Sequence, residues 1–110
     1  LSSRREIAEH IAAKLHAAGD ITLRKMFGEY GIWLDGKLIV VIADDRLFFK
    51  ITEAGRHFIG QPEEDQPYPG SKPWFLIPEE MWEESAWLVE LARITALELP
   101  APKPKKPRNK

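Results

Sequence analysis

Apolar residues recur along this chain in two rhythms, and the switches between them lay out the elements. From Ser3 to Ala18, residues Ile7, Ala8, Ile11, Ala12, Leu15 and Ala18 return at three- and four-residue spacing, the stripe of one helix. Ser3 with Glu6 three residues on forms a capping box at its start. Gly19 supplies a left-handed stop. The rhythm then shortens. Ile21–Phe27 reads as a strand turned by Gly28-Glu29, and Tyr30–Leu34 as a second strand. Asp35-Gly36 follows, the dipeptide that best tolerates positive φ at both centres of a type I′ turn. Leu38–Ala43 is apolar at every position, which places it centrally with both faces covered. Asp44-Asp45 turns the chain again into a fourth strand, Leu47–Ile51, with Lys50 on its polar side.

Beyond the four strands the pattern breaks up. Thr52 caps a short helix, Glu53–Ile59, ended by Gly60. Gly55 is its weak point, about 1 kcal/mol worse than Ala in a helix interior. Gln61–Ser71 reads as a loop, with three prolines and the acidic run Glu63-Glu64-Asp65. Pro73–Ile77 is a fifth strand, and its bracketing prolines, Pro73 and Pro78, place it at an edge or strand end. Pro78–Met81 is a helical turn with Pro at a first-turn position. Glu84–Leu99 is a long C-terminal helix with Trp87, Leu88, Leu91, Ala92, Thr95 and Leu99 on its buried stripe and Pro100 as its stop. Helix, four-strand meander, short helix, strand and long helix make an α+β domain built on an antiparallel sheet of about five strands. The terminal helices cover one face of that sheet. The other carries Tyr30, Trp33 or Phe48 according to register, and an apolar face there would be a dimer surface.

Length and charge narrow the picture. At 110 residues the chain is one domain, spanning 1–99, with 100–110 as a disordered Pro- and Lys-rich tail. With no cysteine, thiolate nucleophiles, thiolate zinc sites and disulfides are excluded, which suits a cytoplasmic protein. No apolar run approaches the roughly 20 residues of a membrane span, and no signal peptide is visible. The formal charge of −1 is unevenly spread. Five of the 16 basic residues (Lys103, Lys105, Lys106, Arg108, Lys110) lie in the tail, leaving 11 against 17 acids, about −6, on the body. The tail is therefore where phosphates would be contacted, if nucleic acid is bound at all.

Candidate chemistry is sparse. His10 and His16 stand six apart on one helix and face different ways, and His57 lies on another element, so no histidine metal set follows. Asp44-Asp45 offers carboxylates for a cation, but paired hairpin residues are the commoner origin of such a dipeptide. Gly28-x-x-Gly31 matches the spacing of a backbone-clamping loop, yet two turn glycines around a strand start explain it as well. Glu63-Glu64-Asp65 with Glu79, Glu80, Glu83 and Glu84 reads as a solvated acidic surface, or more sharply as a dock for a basic partner. Trp82, set among acids at a helix start, is the tryptophan expected to be exposed as a partner contact.

One block goes further. Arg24-Lys25-Met26-Phe27-Gly28-x-Tyr30-Gly31, then Asp35-Gly36-Lys37, then Ala43-Asp44-Asp45-Arg46-Leu47 through Lys50, resembles the N-terminal domain of the TfoX/Sxy family. The looser match continues through Thr52-Glu53-Ala54, a Pro-x-aromatic strand and Ile77-Pro78-Glu79-Glu80, and covers about residues 1–99. The resemblance implies a small α+β, secretion-chaperone-like fold, often dimeric, with no catalytic residue and no cofactor. Its better-known members are bacterial competence regulators that act with the cyclic-AMP receptor protein and carry a second, helical domain. After Pro100 this chain has APKPKKPRNK instead. The expectation is a non-enzymatic protein-interaction module, with a transcription regulator as partner and a homodimer as assembly. The alternatives are a nucleic-acid accessory protein using the tail with Arg24 and Lys25, and a small-ligand binder or enzyme with a cleft at the 61–71 loop.

Overall fold

A computed structural model describes residues 5–102. Helix α1 (Arg5–Leu15) buries Ala8, Ile11, Ala12 and Leu15 and tightens into a 3₁₀ turn, His16–Ala18. Ser3 of the expected capping box lies outside the described residues. Four strands follow as a meander: β1 (Ile21–Met26), β2 (Glu29–Leu34), β3 (Lys37–Ala43) and β4 (Arg46–Phe49). Two-residue turns join all of them. Their central φ values are positive throughout: 50° and 83° at Phe27-Gly28, 51° and 83° at Asp35-Gly36, 54° and 58° at Asp44-Asp45. This geometry matches the right-handed strand twist. The first turn thus lies one residue earlier than the glycine suggested, with Phe27 inside it.

Helix α2 (Glu53–Ile59) starts at Thr52, whose Oγ1 accepts from the Gly55 amide at 2.9 Å. The region read as a loop holds a short strand, β5 (Glu63–Asp65), so the antiparallel sheet has six strands in the order β1-β2-β3-β4-β6-β5. β6 (Trp74–Ile77) is therefore internal, between β4 and β5, rather than an edge. Pro73 and Pro78 flank it without interrupting a ladder. β5 escaped the pattern because its three residues are all acidic and exposed. A 3₁₀ turn (Glu79–Met81) leads to α3 (Ser85–Glu98).

The helices pack on one face of the sheet around Ile11, Leu15, Ile32, Leu34, Ile42, Leu47, Phe49, Phe75, Leu88 and Leu91, all buried. Register decides the rest. Tyr30 pairs with Ile42 and turns to the helix side, whereas Trp33 and Phe48 point the other way. A bulge leaves Ile39 opposite no residue of β2, since Ile32 faces Val40 and Trp33 faces Leu38. Ile39 and Val40 consequently both enter the helix-side core.

Two contacts tie α3 to the rest. Lys37 Nζ donates to Ala96 O at 2.7 Å and Leu99 O at 3.1 Å, satisfying carbonyls at the helix end. The Glu98 carboxylate accepts from the Glu53 and Ala54 amides at 2.8 and 2.9 Å, capping α2 from a distant element. Those amide hydrogen bonds hold the Glu98 carboxyl below the usual glutamate range.

Candidate functional site: the helix-free face of the sheet

The face turned away from the helices is laid out by strand register. One cross-strand row runs Arg24, Gly31, Val41, Phe48, Leu76, Glu63, apolar in the middle and oppositely charged at its ends. Val41, Ala43 and Phe48 form a small second core, with Trp74 and Leu76 packed against it. Part of its cover is the segment after β5. Pro67 is buried, and Gln66, Pro67, Tyr68 and Pro69 share a cleft of about 530 Å³ with Glu29, Asp44, Arg46 and Asp65. Gln66 Nε2 donates to Ser71 O at 2.7 Å and the Ser71 amide to Tyr68 O at 3.1 Å, so the segment holds its own shape.

Three aromatic rings on this face each carry a cation. Arg24 lies 5.7 Å from the Trp33 ring centre, Arg46 5.0 Å from Phe48, and Lys50 5.1 Å from Trp74. Gly31 is the bed for the first pair. A Cβ there would stand 2.8 Å from Trp33 Cζ3 and 3.2 Å from Met26 Cε. Gly31 is thus a strand glycine under an indole ring, not a turn residue, and only Gly28 of that pair turns the chain.

Phe27 is the exceptional residue. It is a phenylalanine at φ 50° on a hairpin tip, with 104% relative exposure. The left-handed region costs an L-residue about 1–2 kcal/mol, and no burial among the described residues offsets it. Phe27 is one wall of a second cleft, about 430 Å³, lined also by Met26, Glu29, Leu38, Val41, Tyr68 and Trp74. Tyr68, at 55% exposure, is the other exposed aromatic among the described residues.

The polar cleft is poorly set up for proton transfer. Arg46 Nη1 pairs with Asp65 Oδ2 at 2.9 Å, and the Asp44 amide donates to Glu29 Oε1 at 3.2 Å. The Gln66 amide and then Arg46 hold the Asp65 carboxyl below its usual range, opposite to what a neutral-pH proton donor needs. Among the described residues no group of three or more His, Cys, Asp or Glu is placed to hold a metal ion. His10 instead sits 2.9 Å from Glu83 on the helix side.

Other expected site residues are dispersed. Of the expected acidic set, Glu63 and Glu80 line one cleft, and three others are in ion pairs. Glu64 pairs with Arg56 at 2.8 Å, Asp65 with Arg46, and Glu83 with His10 and Lys14. Trp82 is half-buried rather than an exposed anchor. Its ring packs on the core and its Nε1 donates to Ile77 O at 3.1 Å. Lys25 is exposed on β1, turned to the helix side opposite Tyr30. Asp35, Gly36, Asp44 and Asp45 are hairpin residues. The Lys50 amide donates to Ile39 O at 2.9 Å, extending the β3–β4 ladder. The tail cations Lys103, Lys105, Lys106, Arg108 and Lys110 lie outside the described residues. The last described residue, Pro102, packs on Gly36, at the far end of β2 from Phe27.

The TfoX N-terminal domain model matches residues 13–98, from the second half of α1 to the end of α3. The chain belongs to that family. It is also similar to an uncharacterized 12.7 kDa protein in the trpE 5′ region of Spirochaeta aurantia, 40% identical over 90 residues, 82% of this chain and 77% of that protein. The TfoX N-terminal match spans the whole helix-free face, since every strand lies inside it. Phe27 stood among the motif-block residues, read as the end of a strand rather than as an exposed turn residue, and Tyr68 was in no expected site set. A phenylalanine directly before glycine, between two six-residue strands, was the available signal for the first. Nothing in the local pattern marked the second.

Proposed function

We propose that this TfoX N-terminal domain is a non-enzymatic protein-interaction module whose binding surface is the helix-free face around Phe27. The observation that carries it is Phe27 itself. A large apolar ring sits fully exposed in an unfavourable backbone conformation, as one wall of an apolar cleft. An exposed aromatic at a groove is the usual form of an interface anchor. The module acts in the cytoplasm, in the manner of the family's regulators, on a partner concerned with transcription.

The test compares the full chain, Phe27→Gly and Leu97→Ser as baits in an extract of the source bacterium. Leu97 is 79% exposed on α3, away from the sheet face, and serves as the apolar control. A partner held by the wild type and by Leu97→Ser but lost by Phe27→Gly supports the reading. Equal recovery by all three refutes it, as does metabolite turnover that depends on Glu29, Asp44 or Asp65.

A further inference from the structure

We infer that the free edge of β1 takes up an extended acidic segment of the partner protein as an added strand of the sheet. The inference rests on the reading that this domain binds a protein, and names the partner's chemistry. The sheet ends at β1 on one side and at β5 on the other. The β1–β2 register fixes which backbone groups of β1 are already used. The Asp35 amide donates to Asp20 O at 2.8 Å, and the two-residue turn makes Met26–Glu29 a bonded pair. The bonded residues of β1 are therefore Thr22, Arg24 and Met26, while Ile21, Leu23 and Lys25 direct their amides and carbonyls outward. No described residue bonds to them there. Ile21 and Leu23 lie on the helix side, packed on the core but only partly buried. Lys25 follows them on that side and Arg24 stands on the other, both exposed and neither in an ion pair within the described residues.

These side chains specify the added strand. Laid antiparallel on the edge, it sets one carboxylate opposite Lys25 and one opposite Arg24, and apolar side chains opposite Leu23 and Ile21. Its pattern reads acid, acid, apolar, polar, apolar. Charge selects this edge over the other one, because β5 is Glu63-Glu64-Asp65, all exposed, and repels such a segment. Length agrees, since β1 offers six residues and β5 three. β1 also runs directly into Phe27, so a strand docked here is continuous with the exposed ring of the proposed surface. Charges on an edge strand also serve to keep other strands away, and a nucleic acid would use the same two cations. Neither of those roles engages the outward amides, which the experiment reads.

The experiment titrates the isotope-labelled full chain with the peptide acetyl-Gly-Glu-Glu-Val-Thr-Val-Gly-amide and follows amide resonances and hydrogen exchange. Exchange should slow at the Ile21, Leu23 and Lys25 amides and stay unchanged at Arg24, whose amide already faces β2. Lys25→Pro deletes one outward donor and no bond to β2, and should weaken binding at least about tenfold. Lys25→Glu tests the pairing without touching the backbone. The wild type should prefer this peptide, by up to about fivefold, over one with its first Glu replaced by Lys, and Lys25→Glu should reverse that order. Absence of saturation by about 1 mM peptide, resonance shifts without slowed exchange, or a preference that Lys25→Glu does not alter overturns the inference. So does slowed exchange on concentrating the chain without peptide, which gives the edge to a second copy, and so does oligothymidine binding through Lys25 where the peptide does not bind. A cellular partner lost by Phe27→Gly yet kept by Lys25→Pro overturns it while leaving the broader reading intact.

Discussion

Gly55→Ala inverts a rule. In an exposed helix interior the change stabilises by about 1 kcal/mol, because glycine loses more backbone entropy on folding. In α2 it should destabilise. Gly55 is buried, and an added Cβ would stand 2.8 Å from Thr52 Oγ1, 3.1 Å from Phe75 Cε2 and 3.5 Å from Leu91 Cδ1. The first neighbour is the cap itself, since Thr52 Oγ1 accepts from the Gly55 amide, and a displaced cap costs about 1 kcal/mol. The second is a fully buried ring in the sheet core, and forcing a methyl against it costs about 1–3 kcal/mol. Set against the propensity gain, the net loss is about 1–3 kcal/mol. In a domain of this size that lowers Tm by roughly 4–20 °C. Calorimetry and urea titration on the wild type, Gly55→Ala and Thr52→Ala separate the parts. Thr52→Ala should cost only the cap. A Gly55→Ala variant as stable as the wild type, or more so, would refute the argument that close packing holds α2 against Phe75.

Other expectations concern the ties between elements. Lys37→Met removes two charge-assisted bonds to Ala96 O and Leu99 O and should lower stability by about 1–2 kcal/mol; an unchanged urea midpoint would show that the α3 terminus is satisfied by solvent instead. Gly31→Ala pushes on Trp33 and Met26, should cost about 1 kcal/mol and should shift the Trp33 indole NMR resonance, whereas an unmoved resonance contradicts the close approach. Glu98 has a folded-state pKa below its unfolded one, so its contribution is full above the ordinary glutamate range and disappears as pH falls through the depressed value. The stability gap between wild type and Glu98→Gln should therefore narrow as pH drops from about 5 to about 3, and a gap constant across that range would mean the carboxylate does not cap α2.

The order of elements was legible because it is local. The three- and four-residue apolar spacing of α1, the Asp35-Gly36 turn, the Thr52 cap and the apolar run of β3 each follow from the conformational preferences of neighbouring residues. The sequence by itself thus determined an α+β chain with a meander at its centre and no thiol chemistry, and its motif block carried the family. Pairing across the sheet was not local. β5 consists of three acidic residues that become a strand only because β6 offers an edge, and the same pairing moves β6 inward despite its prolines. Sheet pairing sent Tyr30 to the helices and left Trp33 on the opposite face, and the bulge at Ile39 turned both Ile39 and Val40 into the helix-side core. The candidate site is a product of that tertiary arrangement. Phe27 and Tyr68 are 41 positions apart, and only folding brings them to one cleft. Their exposure depends on what the rest of the chain leaves uncovered, a quantity that no residue's own preference contains.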